Sequence, residues 1–302
     1  QNVLMMTKIL FILNGSLTPS IDATQLTTKN GTLRLPRKDP NLPKLYLISK
    51  GISAIEAGEF SGFNSLETLS LHNNYLSEIE DGAFAGLVSL EVLNLGNNRL
   101  SEITCSDFSD FHGSLKNLYL GGNRLTILRG NYFCNLTYLE ELSLRNNKIS
   151  HLEATAFSDL ESLERLHLDD NRLTVLTGGI FSALISLKYL QIFNNELSKI
   201  EAGTFCGLQS LRTLDLGNNT LTMLTGGIFS DLISLRYLHL SNNELSQLET
   251  GAFSGLRSFK ILILSGNQLT MLTGGIFSDL LSLTHLDLSK NELSQIETGA
   301  FS

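Results

Sequence analysis

Leucines recur along this chain in a fixed phrase, with polar or small residues at fixed places between them. Leu211 to Asn219 reads Leu-Arg-Thr-Leu-Asp-Leu-Gly-Asn-Asn, apolar at the first, fourth and sixth positions and closed by asparagine. The closing asparagine returns as Asn74, Asn98, Asn123, Asn147, Asn171, Asn195, Asn219, Asn243, Asn267 and Asn291, in steps of 24 with one step of 25 into Asn123. A phenylalanine series runs in phase with it, from Phe60, Phe84, Phe108 and Phe133 through Phe205 to Phe301. The alternation of Leu214 and Leu216 with Asp215 is the period-two pattern of a strand with one buried face. A unit of this size buries its apolar face only against copies of itself, so the pattern predicts a stack of coils.

Three further expectations follow. The strands stack into a parallel sheet on the concave face of a curved α/β solenoid, a horseshoe whose convex face is mostly loops and short helical turns. The asparagine bonds backbone groups at the turn after the strand, where buried polar groups must be paired. The phenylalanines form a second apolar column under the convex surface. Eleven coils span residues 42–302, the last incomplete; the first carries Lys50 in place of the asparagine. The extra residue falls in 108–114, on the convex side, so the sheet register is expected to continue. Such an array is one architectural unit, which overrides a division by length alone.

Residues 1–41 precede the array as a cap-like segment. Val3 to Leu13 is apolar but too short and interrupted for the roughly 20 residues of a membrane span. It reads as a cap strand or the remnant of a targeting segment. The sequence ends at Gly299-Ala300-Phe301-Ser302, in mid-coil without a closing cap, so either the array is cut short or another chain covers that end.

The chain is 42% hydrophobic, ample for a continuous core. Its net charge of -8 predicts no basic face and no nucleic-acid partner. Acids such as Glu80, Asp81, Glu201, Glu249 and Glu297 read as a solvated convex surface. The three cysteines allow a disulfide between Cys105 and Cys134 on adjacent coils, with Cys206 filling a slot otherwise mostly serine; buried free thiols are the alternative. Glycosylation sequons stand at Asn14, Asn30, Asn135 and Asn218, no more than chance provides.

A duplication separates frame from variable surface. Residues 222–254 and 270–302 differ at six of 33 positions. Ile233/Leu281 and Leu248/Ile296 read as swaps of core residues of equal size. The other four, Arg236/Thr284, Tyr237/His285, His239/Asp287 and Asn242/Lys290, fall on or beside the strand at outward positions. Each segment has five such outward positions, and the older copy, 174–206, differs from 222–254 at three of its five and at eight of the other 28. A kept scaffold with a rewritten inner face is what binding requires.

Outward residues line up in columns about 4.8 Å apart from coil to coil. The position just after the strand is usually small, and Arg145, Asp169 and Phe193 break that habit in three successive coils. In the next column, usually Asn or Gly, Asp170 departs. With Glu141, Arg165, His167, Tyr189, Gln191, Asp215, Tyr237 and His239 these make a central patch with the composition of a binding hot spot. The competing reading is that salt bridges such as Arg165 to Glu141 merely hold the surface. Catalysis by Ser143, His167 and Asp169 is disfavoured, because residues two apart on a strand lie nearly 7 Å apart and an open sheet offers no dry pocket. A metal at Asp215 and His239 lacks a third ligand, since Ile263 follows in the column. No enzyme activity, cofactor or metal is therefore expected.

The phrase LxxLxLxxNxLxxLxxGxFxxLxxL over residues 42–302 resembles the typical class of extracellular animal leucine-rich repeats. That class includes Toll-like receptor ectodomains, small matrix proteoglycans and the variable lymphocyte receptors of jawless vertebrates. The segment Leu-Thr-Met-Leu-Thr-Gly-Gly-Ile-Phe-Ser-Asp-Leu is nearest the last of these. The stretch Leu33 to Leu47 resembles the tail of an N-terminal cap but lacks the cap's cysteines. The resemblance implies a secreted or cell-surface protein holding a protein or glycan ligand, including microbial ones, against its concave strands. An adhesion or matrix protein and an intracellular inhibitor are the alternatives.

Overall fold

The computed structural model describes residues 27–35, 39–111, 113–130 and 132–301. Val3 to Leu13 and Asn14 lie outside them. A short antiparallel hairpin, Thr27–Lys29 with Thr32–Arg34, leads into the array. It places Leu33 and Leu35 in the core, and Leu33 N–H donates to Ala54 of the first coil (3.0 Å).

Eleven three-residue strands then form one parallel sheet in which chain order is spatial order. We number the coils by their strands: Lys44–Tyr46, Thr68–Ser70, Val92–Asn94, Asn117–Tyr119, Glu141–Ser143, Arg165–His167, Tyr189–Gln191, Thr213–Asp215, Tyr237–His239, Ile261–Ile263 and His285–Asp287 for coils 1 to 11. The central leucine of each strand points inward; Leu190 and Leu214 are fully buried between flanks that are not. Val92 pairs with Asn117 across the 25-residue step without loss of register. The extra residue is absorbed outside the sheet, next to the 3-10 helix Cys105–Phe111.

The asparagine ladder accounts for the backbone at each turn. Asn195 Nδ2 donates to the carbonyls of Leu168 (3.0 Å), Ile192 (3.1 Å) and Phe193 (3.3 Å), and its Oδ1 accepts from Leu173 N–H (3.0 Å). Two of these partners belong to the preceding coil, so each asparagine is a clamp between coils. Replacing Asn195 by Ala is expected to destabilise the solenoid by roughly 1–3 kcal/mol, since buried backbone groups lose partners. An unaltered urea unfolding curve would refute the clamp.

The residue before each ladder asparagine has a left-handed backbone: Asn73, Asn146, Asp170, Asn194, Asn218 and Asn242 have φ of 58, 51, 56, 53, 52 and 53°. The Asn/Gly habit of this column is therefore conformational, and Asp is a third type that tolerates the region.

The phenylalanine column forms with one correction. Phe84 stacks on Phe60 (6.1 Å) but then meets Phe111 (5.6 Å, tilted by 38°) rather than Phe108, because the 3-10 turn swings the later ring into line. The stack resumes at Phe157 and continues through Phe181, Phe205, Phe229, Phe253 and Phe277 to Phe301. Phe108 and Phe133 are buried yet join no ring pair among the described residues. Cys105 and Cys134 are joined as a disulfide, Cα atoms 5.5 Å apart, in that interval of the column. Cys206 is an exposed thiol, not a buried one.

The convex side shows order that the sequence pattern did not predict. Two-residue strands pair coil 4 with 5, 6 with 7, 8 with 9 and 10 with 11, the same two-coil grouping as the 48-residue duplication. Part of the reason is a carboxylate clip. Glu249 accepts from Gly226 N–H (2.9 Å) and Glu297 from Gly274 N–H (2.8 Å). These acids thus tie coils together as well as meeting solvent. Ile233 is no core residue either: it is 52% exposed, so its exchange with Leu281 repacks nothing.

Candidate functional site

Each concave strand presents its first and third residues outward, and parallel register sets them beside the same positions of the next coil. The column after the strand is small for a steric reason. A Cβ on Gly121 would come within 2.9 Å of Arg145 Cγ, and one on Gly217 within 2.9 Å of His239 Cε1. Glycine there makes a shelf on which the long side chain of the following coil lies.

The predicted residues fall into two clusters. In coils 4 to 7 a polar chain crosses four strands: Asn117 Nδ2 donates to Glu141 (3.4 Å), Glu141 faces His167 Nε2 (3.6 Å), and His167 Nδ1 bonds Gln191 Oε1 (2.5 Å). Arg165 does not bridge to Glu141 as the surface reading supposed; its guanidinium lies 5.4 Å from the centroid of Tyr189. Aromatic contact and the neighbouring imidazole divert the two partners. Arg145 stands over Asp169 (3.7 Å) and Asp170 (3.8 Å), and Asp170 also accepts from Asn194 Nδ2 (2.8 Å). Phe193 stands half-buried beside them. In coils 8 and 9, Asp215 holds His239 Nδ1 (2.8 Å) and Gly217 N–H (3.0 Å), and Tyr237 tilts against the imidazole at 6.3 Å.

Electrostatics follow burial and pairing. Burial opposes charge on His167, but its hydrogen bonds to Glu141 and Gln191 and the nearby carboxylates prevail, so its pKa is raised above 6.5. Glu141 is correspondingly lowered, chiefly by the bond to His167. Asp169, only 2% exposed, is pushed up by burial against the pull of Arg145, and its Oδ1 has no partner. Tyr119, half-buried beside Glu141, is pushed up to about 12 by desolvation and by that carboxylate. Charged His167 therefore contributes stability that is fully present below pH 6.5, the unfolded value, and is lost as pH rises through the higher folded pKa. Replacing Glu141 by Gln should bring the His167 titration, followed by NMR, back toward 6.5; an unchanged midpoint would refute the pairing.

Asn117 and Asn194, which enter these contacts, escaped the sequence reading, and so did Tyr119 and Ser241. Tyr119 shares the column of Ser143 and His167, so the period alone could have found it. Ser241 Oγ contacts His239 Nε2, completing an Asp215–His239–Ser241 chain of hydrogen bonds. Residues two apart can meet here because Ser241 lies past the strand end, where the chain turns. Ser143, His167 and Asp169 make no such chain among the described residues; His167 turns to Gln191 instead. No group of three metal-ligating side chains converges among the described residues, and none of their helices is long and apolar enough to cross a membrane. The sequons Asn30, Asn135 and Asn218 are all exposed.

Known proteins place this geometry. The family model described as leucine rich repeat matches residues 40–100, 113–173, 161–221, 209–269 and 257–302. No curated protein sequence matches. Among solved structures the chain is similar to the leucine-rich-repeat domain of FLRT2 in an octameric complex with Latrophilin 3 and Unc5D: 25% identity and a TM-score of 0.75, over 88% of this chain and 83% of that one. It is also similar to a leucine-rich-repeat protein of Leptospira interrogans, at 27% identity, a TM-score of 0.62, and 84% and 68% of the two chains. The third likeness is to TLR13 complexed with ssRNA13, at 26% identity and a TM-score of 0.55, covering 80% of this chain but 42% of that one. The chain thus spans less than half the length of that receptor. With model matches over most of its length, this chain belongs to the leucine-rich-repeat family.

Proposed function

We propose that this protein is a secreted or cell-surface recognition protein that binds a protein or glycan ligand noncovalently on the concave face of coils 5 to 9. The observation that carries the reading is the central patch: aromatic, arginine and acidic side chains, fixed by one another on a rigid sheet, at positions the duplication rewrote. A preorganised surface of this kind loses little entropy on binding. The Cys105–Cys134 bond supports an oxidising compartment and speaks against an intracellular inhibitor. Immune recognition is the finer form of the reading, supported by the repeat's resemblance to variable lymphocyte receptors and by the likeness to TLR13.

Adhesion is the second reading, favoured by the likeness to FLRT2, which is found in a multi-protein complex. Arrays of microbial glycans and of matrix and cell-surface proteins separate the two. Replacing Phe193, Tyr189 or Arg165 by Ala should weaken binding of any array hit by roughly 1–3 kcal/mol with the fold intact. Unchanged affinity in all three would move the site off the central coils.

A further inference from the structure

The residue just after each ladder asparagine lies at the trailing edge of the sheet, and its charge reverses midway along the array. Coils 3 to 6 place Arg99, Arg124, Lys148 and Arg172 there, all exposed; coils 7 and 9 place Glu196 and Glu244, with Thr220 in coil 8 and Gln268 in coil 10. The residue just before each strand, at the leading edge, reverses in the opposite sense, from Glu67, Glu91, Glu140 and Glu164, interrupted by Lys116 in coil 4, to Lys188, Arg212, Arg236 and Lys260. Eight of the chain's 22 lysines and arginines sit in these two four-coil runs. The net charge of -8, which predicts no basic face, conceals this pattern by summing over it.

The two edges differ in what they have already bonded. At the leading edge Lys116 pairs with Glu91 (2.7 Å) and Lys188 with Glu164. At the trailing edge no charged group forms an ion pair among the described residues; Arg99 lies over Tyr75 instead, 4.3 Å from the ring centroid. Like charges repeated every 4.8 Å or so repel one another, and no ion pair among the described residues offsets that repulsion. Beside this row the next short strands expose Val175 and Met223, so the edge is not purely polar.

We propose that the trailing edge is the docking surface for a second copy of this chain, related by a twofold axis between coils 6 and 7. A rotation about that axis lays coil 6 on coil 7 of the second copy, coil 5 on 8, coil 4 on 9 and coil 3 on 10. It sets Arg172 against Glu196, Arg124 against Glu244, Lys148 against Thr220 and Arg99 against Gln268, each contact made twice. No two like charges meet. Centring the axis on coil 6 would oppose Arg172 to itself, and centring it on coil 7 would do the same to Glu196. The edge is thus self-complementary in one register, the condition for an isologous dimer. The arrangement leaves the central concave patch open to a ligand, so the two proposals stand or fall separately.

Sedimentation velocity tests this on the full chain. The wild type should associate to a dimer that weakens with added salt. Arg124→Glu and Glu244→Arg should each raise the dimer dissociation constant about tenfold or more, because each brings two like-charged pairs together. An equimolar mixture of the two variants should restore wild-type association, since the mixed dimer re-forms both pairs, one with native and one with reversed signs. Coils 4 and 9 lie about 24 Å apart in one chain, so no effect within a molecule can mimic that rescue. A monomeric wild type, variants that associate normally, or a mixture that stays monomeric would each overturn the proposal. So would a glycan found on Asn218 by mass spectrometry, which would crowd the same edge two residues from Thr220.

Discussion

Replacing Phe205 by Ala is expected to lower stability by about 3–5 kcal/mol, the cost of emptying a buried aromatic site. The ring is 1% exposed and stacked between Phe181 (6.4 Å) and Phe229 (5.7 Å). In a solenoid, stability is a sum of repeat terms and nearest-neighbour terms, and this ring contributes to the interfaces on both sides of its coil. Neighbouring coils are held by their own ladder asparagines, so they can close on the cavity only partly. Phe301 provides the internal control. It stacks on Phe277 alone and is 60% exposed, so its replacement should cost far less. Urea unfolding of both variants measures the difference; equal and small losses would mean the column is filler and not a spine.

The same additivity explains how much of the fold was legible in the sequence. Each coil meets only its neighbours, so a residue's surroundings repeat with the period, and one phrase such as Leu211–Asn219 specifies strand, turn and ladder for them all. Where the period was broken, legibility stopped. Phe108 keeps the numerical spacing, yet Phe111 enters the stack, because the 3-10 turn and not the count of residues decides which ring faces inward. The convex pairing of coils by twos depends on carboxylates such as Glu249 reaching a glycine N–H, a contact no period announces. On the concave face the columns placed every predicted residue beside its neighbour correctly, but not its partner. Arg165 could reach Glu141 or Tyr189 from one position, and packing chose the ring. His239 likewise had Asp215 in view from the sequence and Ser241 only from the turn that brings it near.

The candidate site therefore owes its placement to the frame and its chemistry to contacts across coils. Glycines 121 and 217 join the two: they belong to the frame by position, yet what they accommodate, Arg145 and His239, belongs to the patch. An alanine at 217 should disturb the His239–Asp215 pair before it disturbs the coil, because the added Cβ meets the imidazole first.

The disulfide should show its largest effect at the gap in the phenylalanine column. Rings stack from Phe60 to Phe111 and again from Phe157 onward, while between them Cys105 and Cys134, 29 residues apart, join adjacent coils covalently. By loop entropy such a bond contributes about 3–4 kcal/mol. Without it, the neighbour term at that interface loses its cross-link where aromatic stacking is also missing. A repeat array with one weakened interface no longer unfolds as a unit. Replacing both cysteines by Ser should thus split a single thermal transition into two, with coils 1 to 3 melting first. Hydrogen exchange read coil by coil would locate the boundary near residue 111. Replacing Cys206, exposed and outside the disulfide, should leave the transition as it was. One cooperative transition at an unchanged midpoint in the doubly replaced chain would mean that the leucine core alone carries the coupling across the gap.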